Sequence, residues 1–68
     1  MDITAGRYQA VKDTSMQSGV SCWLLPDGGE IELTQIDNCR KKALFVCGRD
    51  SDWISFNRIR KCFKKVSD

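Results

Sequence analysis

A chain of 68 residues, 41% hydrophobic and 29% charged, has room for one small domain, and a domain of that size buries only about 60% of its unfolded surface. No apolar run approaches the roughly 20 residues of a membrane span, and the opening MDITAGRYQAVKDTSMQSG has no apolar stretch of signal-peptide type, so a cytoplasmic protein without membrane contact is expected. The net charge of +2 conceals a division: residues 1–39 hold two cations against six acids, a net −4, while residues 40–66 hold nine against two, a net +7.

Residues 1–17 are polar and weakly periodic, with Tyr8, Val11 and Met16 as their apolar anchors. They predict an N-terminal arm or a short helix near residues 7–13, followed by one small β domain over 18–68. GVSCWLLP reads as a strand, with Val20, Cys22 and Leu24 on one face and Trp23 and Leu25 on the other. Pro26 ends it. PDGG supplies the positive φ values that tight hairpins need, and EIELTQI follows as an alternating strand. Ile31 and Leu33 point inward while Glu30, Glu32 and Thr34 point outward; Ile36 breaks the parity, as a bulge would. DNCRKK is turn-like, and ALFVC is a continuous apolar run of the kind found in a central strand covered on both sides. GRDSD predicts a second turn. WISF predicts a fourth strand, with Ile54 and Phe56 on one face and Trp53 on the other.

The last stretch, RIRKCFKKV, carries five cations in nine positions. Its Ile59, Cys62, Phe63 and Val66 fit the helical spacing i, i+3, i+4, i+7. KCFKKV equally fits a short closing strand after a turn at NRIR. In either case Ile59 and Phe63 are the expected anchors, with Arg58, Lys61 and Lys64 facing outward. The fold expected is mainly β: a small, strongly bent antiparallel sheet, or a partly closed barrel of four or five strands.

Cys22, Cys39, Cys47 and Cys62 are separated by 16, 7 and 14 residues. Zinc sites use close pairs such as C-x2-C, and the chain has no histidine. Reduced, mostly buried thiols are expected, with no metal and no cofactor. Without histidine, a glycine-rich phosphate loop or a nucleophile motif, the chain gives no sign of being an enzyme. Asp50 and Asp52 around Ser51 read as a solvated turn.

The element order resembles Sm-like small β-barrels, in which a turn precedes a short last strand. A closer similarity is to the Rof family, small bacterial inhibitors of the transcription terminator Rho. It is carried by LLPDGGEIEL, DNCRKKALFVC and WISFNRIRKCF and covers roughly residues 22–63. The Rof proteins are acidic overall, whereas the later half of this chain is basic.

Two functions follow. The first is a regulator or adaptor that binds nucleic acid, RNA or single-stranded DNA, with phosphate contacts from Arg40, Lys41, Lys42, Arg58, Lys61 and Lys64 and base stacking on Trp53. Closure of the sheet would bring the two basic groups together. The second, which the Rof resemblance implies, is an inhibitor of a nucleic-acid-processing machine. Its acidic hairpin edge, Asp27, Glu30 and Glu32, would face the partner protein, by strand addition.

Overall fold

The computed structural model describes residues 3–67, the last of these by its backbone alone; Met1, Asp2 and Asp68 lie outside the described residues. Seven strands and one helix follow in the order β1 (Gly6–Ala10), β2 (Thr14–Ser18), β3 (Ser21–Leu25), β4 (Glu30–Asp37), β5 (Lys42–Cys47), β6 (Asp50–Ser55), α1 (Phe56–Cys62) and β7 (Phe63–Ser67). The fold is mainly β, as expected, but it is not closed into a barrel. Five strands form an antiparallel sheet in the order β6-β5-β4-β1-β7, and β2 with β3 form a separate two-stranded sheet.

The described part of the N-terminal segment forms β1 and the start of the β2–β3 hairpin rather than a helix or an arm. Tyr8 and Ala10 alternate with Arg7 and Gln9, which gives β1 one apolar side. That side is buried, Tyr8 at 5% and Ala10 at 2% exposure, and β1 lies inside the sheet between β4 and β7. The described part of residues 1–17 therefore belongs to the same core as the rest.

The PDGG turn is not a hairpin turn. β3 pairs with β2, and β4 pairs with β1 and β5. Gly28, at φ +91°, instead swings the chain from one sheet into the other. Its N–H donates to the Ala10 carbonyl at 2.8 Å, and the Ala10 N–H donates to the Gly29 carbonyl at 2.7 Å. Gly29 leaves no room for a side chain, because a Cβ there would stand 2.5 Å from Leu25 Cδ1. The hairpins that do form are β2–β3 and β5–β6, each closed by a two-residue loop with a positive-φ glycine first, Gly19 at +58° and Gly48 at +63°, as type II′ turns require. The β4–β5 pair closes over residues 38–41.

β4 carries the bulge that Ile36 foretold, a register shift between Leu33 and Gln35. β5 is interior, between β4 and β6, with Ala43 and Phe45 buried on one side. Its other side is only partly covered, since Leu44 and Val46 are half-buried. The core gathers Tyr8, Ile31, Leu33, Phe45 and Ile54 from the sheet, Met16 and Leu25 from the hairpin, and Phe56, Ile59 and Phe63 from the C-terminal segment. Trp23 stands against Phe45 with ring centroids 6.4 Å apart.

The C-terminal segment is both things its sequence allows, in succession. Ser55 caps α1, its hydroxyl accepting from the Arg58 N–H at 3.2 Å. Phe56 and Ile59 face the core for two turns. The chain then turns extended at Phe63, whose N–H still donates to the Ile59 carbonyl, and β7 joins β1. Val66 consequently leaves the helical stripe and is 42% exposed.

The cysteines differ from expectation. All four are free thiols, but Cys22 and Cys39 are exposed and Cys47 and Cys62 only half-buried. Cys22 is outside because β3 turns Trp23 and Leu25, the opposite parity, towards the core.

Asp52 fastens the hairpin to the main sheet. Its carboxylate accepts from the Trp53 N–H at 2.7 Å and the Gly19 N–H at 3.1 Å, and the Ser18 hydroxyl donates to the Ser51 carbonyl at 2.9 Å beside it. These N–H groups, with Lys42 nearby, hold the Asp52 carboxyl below its ordinary value. A carboxyl whose value is depressed by folding supports the fold above its unfolded value, near 3.8, and loses that support as pH falls through the folded one. Asp52→Asn is therefore expected to speed hydrogen exchange at the Gly19 amide at neutral pH, whereas the parent shows the same loosening only below about pH 4. Unchanged exchange at Gly19 in the variant would show that Asp52 is not the fastening.

Candidate nucleic-acid interface

The loop over residues 38–41 is built around Asp37, whose carboxylate accepts from the backbone N–H groups of Cys39 and Arg40 at 3.0 and 3.1 Å. Its other oxygen lies 3.9 Å from the Arg40 guanidinium, an exposed and weak pairing. Lys41 closes the loop at φ +58°, and it is the one non-glycine residue with positive φ among those described. That conformation costs a residue with a Cβ about 1–2 kcal/mol. The Lys41 carbonyl then accepts from the Phe56 N–H at 2.9 Å, which sets the start of α1 against the loop.

A cleft of about 400 Å³ opens at this junction, lined by Arg40, Lys41, Lys42, Ser55, Phe56, Asn57 and Arg60. Four of its seven residues are cations and none is an acid. The Arg60 guanidinium lies over the Phe56 ring, 5.7 Å from its centroid. The two basic groups of the sequence thus do meet, through the β5–α1 junction rather than through barrel closure.

Two further clefts adjoin it. One, of about 250 Å³, runs between β2 and β6, with Lys42, Arg58, Asp52 and Trp53 in its lining. Trp53 is 44% exposed, and the Arg58 guanidinium donates to the Ser15 carbonyl across it. The other, of about 620 Å³, lies beside β1 and β7, with Tyr8, Ile59 and Phe63 as its apolar floor and Arg60, Lys64 and Lys65 as its cations. Lys42 lines both the 250 Å³ and the 400 Å³ clefts, and Arg60 both the 400 Å³ and the 620 Å³ clefts. Each neighbouring pair of clefts thus shares a lining cation, and the series of three is called the track.

Of the expected site residues, Arg40, Lys41, Lys42, Trp53, Arg58 and Lys64 line this track. Lys61 does not; it is exposed but lines none of the three clefts. Arg60, Lys65 and Asn57 are additions. Phe56 and Arg60 stand at i and i+4, the spacing that makes side chains meet on a helix, and that relation was the available signal for Arg60.

The acidic residues do not form an edge. Glu30 and Glu32 sit on β4, which has β1 on one side and β5 on the other, so no strand can be added there. Glu30 lies 3.8 Å from Arg7, and the Asp27 N–H donates to the Asp13 carboxylate. Among the described residues no group of three histidine, cysteine or acidic side chains could hold a metal ion, and no helix is long and apolar enough to cross a membrane.

Comparison of the chain with models of protein families, with curated proteins and with solved structures finds no match.

The strained Lys41 separates two roles. Lys41→Gly is expected to stabilise the fold by about 1 kcal/mol, by removing a Cβ from a left-handed position, and at the same time to weaken polyanion binding. A thermal melt and a binding titration on the one variant read both. A lower melting temperature would show that the lysine is not strained; unaltered binding would show that its charge is idle.

Proposed function

We propose that this chain is a non-enzymatic regulatory or adaptor protein that binds single-stranded nucleic acid along the track from Lys64 and Arg60 through Lys42 to Trp53. The observation that carries the reading is the sharing of Lys42 and Arg60 between consecutive clefts. Several cations along one path suit a backbone with a phosphate on every nucleotide, and binding then releases counterions. Trp53 offers a base an exposed aromatic face where the track ends, worth about 1–3 kcal/mol in such sites. Among the described residues Asp52 is the sole acid lining the track, and its carboxylate is held by two backbone N–H groups.

Stacking favours a single strand over a duplex, whose bases are already stacked. Phe45 and Phe63 belong to the core, and Trp23 packs against it.

The inhibitor reading, with Asp27, Glu30 and Glu32 towards a partner protein, has less support, because β4 is interior. The deciding experiment is a titration with a short single-stranded oligonucleotide at low salt, followed by tryptophan fluorescence. Quenching that disappears in Trp53→Leu supports the proposal; absence of any binding removes it.

A further inference from the structure

The β2–β3 hairpin is chemically unlike the rest of the chain. Residues 14–26, TSMQSGVSCWLLP, contain no charge, although 29% of the whole chain is charged. Because β3 spends Trp23 and Leu25 on the core, its other parity faces outward as an apolar row. Val20 at the tip is fully exposed, Leu24 is 62% exposed, and Cys22 between them is exposed. Among the described residues β3 pairs with β2 alone, so its second edge presents backbone N–H and C=O groups to solvent.

The other three edges are guarded; the outer edge of β2 meets β6, with the Ser15 carbonyl accepting from Arg58 and the Ser18 hydroxyl donating to the Ser51 carbonyl. β7 carries Lys64 and Lys65. β6 carries Asp50 and Asp52 and is tied to the hairpin through Ser18 and Gly19. Charges on the strand, a bulge, or a covering element are the devices that stop an edge from pairing. β3 has no charge, and its register with β2 runs unbroken from Thr14–Leu25 to Ser18–Ser21.

We propose that the open edge of β3 is an interface with a second copy of this chain, the two strands pairing antiparallel so that the hairpins join into one four-stranded sheet. Symmetry and charge select the copy over another partner. A two-fold axis at Trp23 sets Cys22 of one copy opposite Leu24 of the other, twice, so the apolar row continues across the junction. A charged partner finds no counter-charge here. Two copies, each with +7 in its second half, meet here without opposing like charges. No β3 residue lines any of the three basic clefts, so a dimer leaves both tracks open. A contact confined to one hairpin per copy belongs among the small, transient interfaces, and the dimer dissociates on dilution.

Sedimentation from low micromolar to millimolar protein tests this. The weight-average mass is expected to climb from the 7.7 kDa of one chain towards twice that. Leu24→Lys, at an exposed position, should keep the melting temperature and hold the mass at the monomer throughout. Leu24→Cys should give a covalent dimer with oxidised glutathione, its peptide map joining position 24 of one copy to Cys22 of the other. A parent protein that stays monomeric to millimolar, or an oligomer that survives Leu24→Lys unchanged, overturns the proposal.

Discussion

Phe45→Ala is expected to unfold the protein, or leave it barely folded, at room temperature. The ring is 1% exposed on an interior strand and faces Trp23 across the gap between the two sheets. Truncating such a phenylalanine costs about 3–5 kcal/mol, the lost transfer energy plus the cavity left behind. A domain of this length holds roughly 3–10 kcal/mol in all, at 0.05–0.15 kcal/mol per residue. Circular dichroism melting should show a broad or absent transition. The same truncation at Trp53, which is 44% exposed, should shift the melt little. A Phe45→Ala variant that melts like its parent would mean that β5 is not the centre of the core.

Removing the two shared cations is expected to have the largest effect on binding. Lys42→Ala with Arg60→Ala breaks the track at both junctions. Each lost contact with a single strand lowers the salt slope by about 0.7, so the pair lowers it by about 1.4. Affinity at low salt should fall by up to about thirtyfold, at up to about 1 kcal/mol for each exposed contact. The fold should lose the Arg60–Phe56 interaction, about 0.5–1 kcal/mol. Lys61→Ala is the control, since Lys61 carries the same charge on the same helix but lines no cleft. If Lys61→Ala reduces the slope as much per charge as the double variant does, the clefts do not matter and the cations act only through their sum.

The parts of the fold that could be read from sequence are those where period and burial agree over several residues. ALFVC announced β5, alternation announced β4, and the parity break at Ile36 announced its bulge. β1 was hidden because GRYQA holds only two apolar residues; its stability comes from β4 and β7, which are distant in sequence. The Asp-Gly-Gly turn was misleading for a different reason. Positive φ is what a hairpin needs, and it is equally what a sharp passage between two sheets needs, so the residues alone do not distinguish them. The useful contrary signal was Thr14 and Met16 at spacing two, followed by Gly19, which marks the hairpin that forms. RIRKCFKKV could not be divided between helix and strand because both periods run through Ile59 and Phe63. The boundary is set by the pairing of β7 with β1, an interaction with the other end of the chain.

The candidate site was legible as a set of charges but not as a surface. Five of the expected cations and Trp53 line the clefts, because exposed charge is a local property. Their arrangement was not, because it depends on the Phe56 N–H meeting the Lys41 carbonyl and on α1 turning Arg60 towards the loop while Lys61 points elsewhere. The acidic group failed in the same way, since an edge strand cannot be told from an interior one before its neighbours are known.

The central claim is that phosphates lie along the track, and the salt dependence of binding by the intact protein tests it most directly. A single-stranded oligonucleotide should bind with log affinity falling linearly in log salt, with a slope between about −3 and −5. That range corresponds to some four to seven of the cations on the three clefts, at about 0.7 each. A duplex of equal length should bind more weakly at the same salt. A slope near zero, or no measurable binding at the lowest salt, would contradict the account.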